Sequence, residues 1–434
     1  MIKQQIYWHT TTVMPGEENT ITPLPSHVDV AVIGGGYTGL SAARTLAKRG
    51  AKVVVLEAET IGWGASSRNG GMVLTGLKIA MQTAIQRYGR EQARRLFHCS
   101  LDSIDTVEQS VKEENIDCNF ARSGHLLTAN KPSHYEALQG EVEFMAKEFN
   151  HAVRLIPPKE MHSEIGSVVY HGALVDDVSA GLNPAKYVKG LAQAAEKAGA
   201  VLHARARVTR LECASSLLNT KKRFSLQTER GSLTAESVLV GTSGYTGNAT
   251  KGLQKRIIPI GSFIIATEPL PEKLAYELSP KNRMIFDFKH YLNYFRLCDN
   301  RLIFGGRAAF FPETTNTIRR SADILRREMV QVYPQLKDIK VEYVWGGTLD
   351  FAFDKMTHVG EEGGVHYSLG YAGHGVAMAT YLGKTVAEAM LAGNIREHPF
   401  AQFNFPGAPL GMYNGFPWFL PFAGLWHKFL DWVE

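Results

Sequence analysis

The sequence has few cysteines and no long apolar run, and each absence excludes some classes of protein. Its four cysteines, Cys99, Cys118, Cys213 and Cys298, share no CxxC or CxxH spacing. Neither a disulfide framework nor a zinc site is therefore indicated, and we expect no bound metal. No apolar stretch reaches the roughly eighteen residues that a membrane-spanning helix needs. Because the N-terminal residues also lack the charged-then-apolar pattern of a secretory leader, a reducing cytoplasm is the expected compartment.

An excess of charge of one sign is absent as well. The chain has 47 basic and 42 acidic residues, for a net charge of +5, and the basic residues are scattered without interleaved aromatics. This distribution favours a solvated surface over a nucleic-acid site. With 434 residues, 44% of them hydrophobic, the chain can bury two ordinary cores, so two domains are expected.

Glycine is plentiful, and residues 27–59 place it where a dinucleotide needs it. This stretch has the pattern of a strand, a G-x-G-x-x-G turn, a helix and a second strand that ends in an acid. The glycines permit a tight turn, bring backbone close to a pyrophosphate and let the helix pack on the strand, while the acid accepts hydrogen bonds from ribose hydroxyls. The predicted contacts in this unit are Gly34, Gly36, Tyr37, Thr38, Gly39, Glu57 and Ala58.

Two further glycine segments predict a flavin rather than a nicotinamide. Residues 61–73, which we call the flavin loop, are too rich in glycine for a helix and can lay amides against a flat ring system. Residues 370–391 form a Gly-His-Gly turn and a helix whose N-terminus can stabilise negative charge on a reduced ring. The additional predicted cofactor contacts are Gly64, Ala65, Ser66, Arg68, Asn69, Gly70, Gly71, Met72, Val208, Gly244, Gly373, His374, Gly375 and Val376.

The order of these motifs resembles that of a known family. Six segments follow one another as in the D-amino-acid-oxidase-like family of FAD-dependent oxidoreductases: GGGYTGLSAA, LEA, GWGASSRNGG, FRLCDNRLIFGG, EYVWGGT and GYAGHGVAMA. The sequence is most similar to the γ-glutamylputrescine oxidase branch, over roughly residues 25–405. The resemblance implies that FAD is held between two interleaved domains and takes a hydride from a carbon that bears an amine. The product is an imine, which water hydrolyses.

The expected fold is α/β, in an α+β two-domain form. A Rossmann-like FAD-binding domain is interleaved with a substrate domain built on an antiparallel sheet. The predicted boundaries assign 1–26 to an N-terminal arm pinned by Tyr7 and Trp8, 27–90, 150–250 and 345–400 to the FAD-binding domain, 91–149 and 251–344 to the substrate domain, and 401–434 to an apolar C-terminal tail.

Four side chains are candidates for the chemistry. His374 stands in the turn at a helix start, which predicts contact with the flavin and proton transfer as a further role, although it could instead only shape the turn. Tyr294 and Arg296 alternate onto one face of a predicted strand, where the resemblance implies the roof of the substrate cavity. A solvated strand face is the alternative. An inward-facing Arg296 is expected to hold a substrate carboxylate, and Trp345 is either a core residue or an aromatic wall for an amine.

The sequence departs from relatives that bind flavin covalently. Such relatives use a cysteine near the EYVWGGT strand or a histidine in the flavin loop. This chain has Gly346, Gly347 and Thr348 at the first place, and Arg68 and Asn69 at the second. Non-covalent FAD is therefore expected.

The last thirty-four residues leave the electron acceptor and the partners open. Trp418, Phe422, Leu425, Phe429 and Val433 share a helical stripe, which Phe419, Leu430 and Trp432 widen. The stripe can pack on the body, join a second subunit into a homodimer, or dock on a membrane surface. Oxygen is the expected acceptor in the first two cases and quinone in the third, as for an imino-acid (L-pipecolate) dehydrogenase. A nicotinamide-dependent dehydrogenase, or a flavin-bearing protein without turnover, is the rival from another class.

Overall fold

The computed structural model describes residues 2–16, 22–213, 223–289, 292–309 and 314–420. Helices in this part of the chain are numbered in chain order: α1 Tyr37–Lys48, α2 Met81–Tyr88, α3 Arg90–Glu113, α4 Pro132–Phe149, α5 Pro184–Lys197, α6 Lys251–Gln254, α7 Glu272–Leu278, α8 Thr315–Val332 and α9 Gly375–Ala392.

Strands are numbered in the same way: β1 His27–Ile33, β2 Val53–Leu56, β3 Met72–Val73, β4 His125–Thr128, β5 Arg154–Ile156, β6 Ala173–Asp176, β7 Ala180–Gly181, β8 Val201–His203, β9 Val208–Cys213, β10 Phe224–Thr228, β11 Gly231–Val240, β12 Ile257–Thr267, β13 Met284–Asp287, β14 Tyr294–Cys298, β15 Arg301–Ala309, β16 Val341–Ala352, β17 His358–Glu362 and β18 Val365–Leu369. They form two large sheets and one small pair, so the prediction of a two-sheet α/β fold is confirmed.

The first sheet carries the predicted dinucleotide unit. Its order is β17-β18-β11-β1-β2-β8, and its central strands are parallel. Alternate residues of β1 enter different cores, since Val30 and Val32 join one apolar cluster while Ala31 and Ile33 join another. A strand buried on both faces must lie in the centre of a covered parallel sheet. Helices α1 and α9 pack against each other on one of these faces.

The second sheet has one face toward helix α8 and one toward the flavin loop. Its order is β16-β12-β15-β14-β13-β4-β6-β5, and its neighbouring strands run antiparallel except β13 and β4. Outward residues such as Leu126, Ile285 and Phe295 share a core with Leu325 of α8. The side chains between them in sequence point to the opposite face, which we call the inner face. It carries His125, Met284, Tyr294, Arg296 and Trp345.

Two of the predicted domain boundaries need correction. Strands β5 and β6 lie within the 150–250 segment assigned to the FAD-binding domain, yet they pair with β4 in the second sheet. Strand β16 belongs to that sheet as far as Ala352, beyond the predicted boundary at 345. Hydrophobic alternation identifies a strand but not its partner, because hydrogen-bond pairing is set by distant segments.

The N-terminal arm is anchored as predicted. Trp8 is fully buried, and the hydroxyl of Tyr7 donates to Oδ2 of Asp299 over 2.9 Å. Lys3 forms a backbone bridge to Tyr343 at the end of β16. The arm therefore lies across the second sheet and reaches the flavin loop.

The C-terminal tail is described only as far as residue 420. Met412, Phe416 and Trp418 are 66%, 61% and 54% exposed, so these side chains present apolar surface to solvent. Leu420 and Tyr413 are buried, and the hydroxyl of Tyr413 donates to the carbonyl of Ile257. The remaining residues of the predicted stripe lie outside the described part: Phe422, Leu425, Phe429, Leu430, Trp432 and Val433. No helix in the described ranges is long and apolar enough to cross a membrane.

The close approach of α1 and α9 yields a stability prediction. A Cβ on Gly383 would overlap the carbonyl oxygen of Thr38 and lie 2.9 Å from Cβ of Ser41. We expect Gly383→Ala to lower the free energy of unfolding by about 1–3 kcal/mol, because the two helices must move apart. Gly140→Ala in α4 is the matched control, since no described atom lies within 4 Å of its added Cβ. Urea titrations in which both variants are equally stable would contradict this packing.

Candidate active site

The first glycine turn joins β1 to α1 in a conformation that requires glycine. Gly34 has φ +109°, a left-handed value. A Cβ on Gly39 would overlap the carbonyl oxygen of Gly34, so the helix can start this close to the strand only without one. Gly36 is the N-cap of α1, and Ser66 Oγ accepts a hydrogen bond from the amide of Tyr37 over 3.0 Å. The turn thus presents the N-terminus of α1 toward the flavin loop.

Glu57 lies at the end of β2 beside this turn, with Ala58 next to it. Its Oε2 accepts from the amide of Gly35 over 2.6 Å, and its Oε1 accepts from the amide of Glu59 over 3.0 Å. Burial raises the pKa of this carboxyl, while hydrogen bonds from backbone amides lower it. Its position is the one expected for a carboxylate that meets a ribose.

The flavin loop is fixed by donors that bind its carbonyl groups. The indole N–H of Trp345 donates to the carbonyl of Arg68 over 2.8 Å, and that of Trp8 donates to the carbonyl of Asn69 over 2.9 Å. Nη1 of Arg296 donates to the carbonyl of Gly71 over 3.1 Å. Donors from the arm and the second sheet therefore hold the loop from its carbonyl side.

Inside the loop, side chains tie the turn to itself. Asn69 Nδ2 donates to the carbonyls of Ala65 and Ser66, and Asn69 Oδ1 accepts from the amide of Gly71 over 2.7 Å. The guanidinium of Arg68 lies 4.2 Å above the ring of Trp63 and donates to that residue's carbonyl. The amides of Asn69 and Gly70 meet no acceptor within the described ranges.

The second glycine turn begins α9. His374 is its N-cap, and its Nδ1 is buried without a partner among the described residues. Burial lowers the pKa of His374 to about 3, with the positive charges of Lys78 and His125 adding to the effect. The ring is therefore neutral at physiological pH. Tyr371 in the same turn shares a hydrogen bond of 2.6 Å with the hydroxyl of Thr38, which links the two glycine turns.

Asp350 organises this turn and has no obvious sequence signal. It is buried on β16, and its Oδ2 accepts from the amide of Gly370 over 2.7 Å. Its carbonyl accepts from the amide of Ala372 over 2.8 Å. Burial raises the pKa of Asp350 to about 6, against the lowering effect of hydrogen bonds from the turn.

Arg296 lies on the inner face as predicted, but its contacts differ from the expected ones. Its Nη2 donates to the carbonyl of Leu182 over 3.1 Å, in addition to the Nη1 bond with Gly71, and its side chain is buried. A guanidinium enclosed by two backbone carbonyls serves to position the flavin loop. The prediction that Arg296 holds a substrate carboxylate is corrected accordingly.

Tyr294 and Trp345 also contact the loop from the inner face. The ring of Tyr294 lies so close to Gly70 that a Cβ there would be 3.1 Å from it, and its hydroxyl is 3.2 Å from Ser262 Oγ. Burial raises the pKa of Tyr294 to about 12, so it stays protonated. Trp345 is 3% exposed, which makes it part of the core.

Two predicted cofactor residues lie apart from this group. Val208 begins β9 and packs in the apolar cluster behind the first sheet, whereas Ala206 is the residue whose amide reaches the carbonyl of Glu57. Gly244 packs against β16, since a Cβ there would lie 2.8 Å from the carbonyl oxygen of Leu349. The other predicted contacts lie in or beside the two glycine turns and the flavin loop.

Sequence reasoning missed Trp8, Asp350, Lys78 and His125 as site residues. His125 could have been found, because residues 125–128 form a short apolar strand and alternation along a strand decides which face a side chain occupies. The others depend on contacts with residues at least 20 positions away in the chain, which local pattern does not report.

Comparison with known proteins agrees with this geometry. Residues 29–389 match the family described as "DAO: FAD dependent oxidoreductase". The chain is 31% identical to gamma-glutamylputrescine oxidoreductase of Escherichia coli K12, over 92% of this chain and 94% of that protein. It is also 31% identical to the probable oxidoreductase OrdL of Haemophilus influenzae, over 88% of this chain and 86% of that protein.

Solved structures share the fold. Glycine oxidase from Geobacillus kaustophilus superposes with a TM-score of 0.74 at 19% identity, covering 89% of this chain and all of that chain. L-proline dehydrogenase from P. horikoshii superposes with a TM-score of 0.65 at 21% identity, covering 92% and 99%.

The site and fold define an FAD-dependent oxidoreductase of the class that acts on amines and amino acids. The chain belongs to the DAO family. The predicted family, fold class and cofactor are thereby confirmed.

The residues present fit FAD. Gly36 lets the turn approach the flavin loop closely, since a Cβ there would lie 2.8 Å from Ser66 Oγ. The buried Nδ1 of His374 has no partner in the described part of the chain, and a bound flavin would give it one. The amides of Asn69 and Gly70 in the flavin loop, which meet no acceptor in the described ranges, are further donors that a bound flavin could engage.

The buried carboxyl of Asp350 predicts a pH effect on stability. Because the pKa of Asp350 rises from 3.8 in the unfolded chain to about 6 in the folded protein, protonation of this carboxyl stabilises the folded state. The stabilisation is complete below pH 3.8 and is lost as the pH rises through about 6. Asp350→Asn cannot titrate. We therefore expect the stability of the parent, relative to the variant, to fall by about 2 kcal/mol between pH 4.5 and 7.5. Urea titrations giving a constant difference over that range would contradict the assignment.

Proposed function

We propose that the protein oxidises a primary or secondary amine at the carbon that bears the nitrogen, giving an imine that water hydrolyses. The observation that supports this most directly is the buried Nδ1 of His374, which has no partner among the described residues and belongs to a ring whose pKa burial lowers to about 3. On the inner face, Tyr294 lies against Gly70 of the flavin loop and stays protonated. When bound there, FAD supplies the two-electron oxidant that takes hydride from this carbon.

The chain's own residues mainly position the substrate and the cofactor and exclude water from them. With a pKa of about 3, His374 is a poor proton acceptor near neutral pH. Its proposed role is a hydrogen bond through Nδ1, and water takes the proton that the substrate ammonium loses. The N-terminus of α9 favours negative charge beside it. Trp8, Trp345 and Arg296 keep the flavin loop rigid, which preserves the alignment of substrate and cofactor.

The proposed substrate class rests on the name of one relative, whereas the proposed electron acceptor rests on the general chemistry of reduced flavins. The Escherichia coli relative is named gamma-glutamylputrescine oxidoreductase, which supports γ-glutamyl amines as first candidates. Polyamines and cyclic imino acids are the alternatives. We further propose that FAD is held without a covalent bond and that oxygen accepts its electrons.

The exposed tail residues support a second candidate. Met412, Phe416 and Trp418 present apolar surface immediately before the undescribed segment. Such a surface suits contact with a membrane or with a second copy of the chain. In the first case the protein would act at the cytoplasmic membrane face as a dehydrogenase that reduces quinone.

Anaerobic mixing with a panel of γ-glutamyl amines, polyamines and cyclic imino acids tests the proposed function. At least one class should bleach the flavin absorbance of the parent. His374→Ala should slow that reduction at least about tenfold or weaken FAD retention, because one lost hydrogen bond to a reacting group costs this much. His162→Ala, at an exposed histidine, is the control and should behave as the parent. If no amine bleaches the flavin absorbance of the fully loaded parent, the protein binds flavin but lacks this activity.

A further inference from the structure

The turn that leads to His374 has a backbone conformation that it does not adopt freely. Gly370, Ala372 and Gly373 have φ values of +88°, +50° and +90°, all in the left-handed region. Glycine tolerates such values, whereas a residue with a Cβ is destabilised there. Ala372 is 1% exposed, so this strained residue is also packed in the interior. Contacts from outside the turn must therefore hold it in place.

Asp350 on β16 makes two of these contacts from the second sheet. Its Oδ2 accepts from the amide of Gly370 over 2.7 Å, and its own carbonyl accepts from the amide of Ala372 over 2.8 Å. The two bonds lie on either side of Tyr371, whose carbonyl accepts from the amide of His374 over 2.9 Å. The backbone that ends at His374 is thus fixed from Asp350 onward.

A carboxyl at this position is unfavourable for the fold by itself. The side chain of Asp350 is 3% exposed and forms no ion pair in the described part of the chain. Burial disfavours its charged form and raises its pKa, while hydrogen bonds from the turn act in the opposite direction. A buried carboxyl perturbed in this way beside a cofactor site is a candidate for a functional role. Its charge strengthens the hydrogen bond that it accepts from the turn.

The other anchor of the turn is the ring of Tyr371. Its hydroxyl lies 2.6 Å from Thr38 Oγ1 and 2.8 Å from Ser368 Oγ, and all three side chains are buried. His374 follows as the N-cap of α9, and its Nδ1 has no partner among the described residues. The direction of its imidazole therefore depends on the conformation of the turn that precedes it.

We propose that Asp350 is a positioning residue, which holds the second glycine turn in its left-handed conformation and so directs Nδ1 of His374 toward the flavin. This inference rests on the hydrogen bond proposed above for His374. Asp350 acts through the turn and needs no contact with cofactor or substrate. Because the position of a hydrogen-bonding group decides how well it aligns the reactants, loss of this restraint weakens both FAD binding and flavin reduction.

A double-mutant cycle tests whether Asp350 acts through His374. FAD affinity is measured by fluorescence titration of the FAD-free protein, for Asp350→Ala in the parent and in His374→Ala. Asp350→Ala should weaken FAD binding at least about fivefold in the parent, as expected for one lost hydrogen bond. In His374→Ala the same change should cost less than about twofold, because no imidazole remains to be directed. The limiting rate of anaerobic flavin reduction by an amine should show the same pattern.

Two further variants separate this role from packing. Asp350→Val also removes the acceptor but fills the volume, so an effect that it shares with Asp350→Ala does not come from a cavity. Asp350→Asn keeps an acceptor and should recover much of the lost affinity. Asp29→Ala is the matched control, since Oδ2 of Asp29 accepts from the amide of Lys52, also over 2.7 Å, and this variant should bind FAD as the parent does.

Equal losses of FAD affinity in the parent and in His374→Ala would show that Asp350 only stabilises the fold, and would overturn this inference. FAD affinity in Asp350→Ala and Asp350→Val equal to that of the parent would overturn it as well. The affinity readout needs no turnover. If the two residues are coupled but no amine reduces the flavin, the proposed amine oxidation fails and this inference stands. If amines reduce the flavin and the effects are additive, only this inference fails.

Discussion

The site depends on donors that hold the flavin loop by its carbonyl groups. A loop this rich in glycine would lose much conformational entropy on ordering, and side-chain packing cannot fix residues without side chains. Two indoles and one guanidinium solve this by binding the carbonyls of Arg68, Asn69 and Gly71. Those donors come from the N-terminal arm and two strands of the second sheet. The cofactor site of the first domain is therefore completed by the second.

Burial sets the protonation state of the histidine in the second glycine turn. It lowers the pKa of His374 to about 3, so the ring is neutral, which suits orientation of an amine rather than capture of its proton.

The sequence predicted the parts of the structure that depend on local chemistry. Gly34 has a left-handed conformation, and Gly36 and Gly39 lack room for a Cβ, so their spacing identified the turn and its ligand class. Long-range pairing was not predictable in the same way. Alternation placed Arg296 on the inner face, but only the structure shows that Gly71 and Leu182 surround its guanidinium. For the same reason the segment that carries β5 and β6 was assigned to the FAD-binding domain rather than to the second sheet.

FAD affinity in Trp345→Phe measures the central claim most directly. The substitution keeps an aromatic ring but removes the N–H that holds the carbonyl of Arg68. Trp418→Phe, at an exposed tryptophan, is the matched control. If carbonyl restraint orders the flavin loop, fluorescence titration of the FAD-free protein should show affinity reduced about tenfold in Trp345→Phe, as expected for one buried hydrogen bond. The control should bind as the parent does. Equal FAD affinity in Trp345→Phe and the parent would contradict the account.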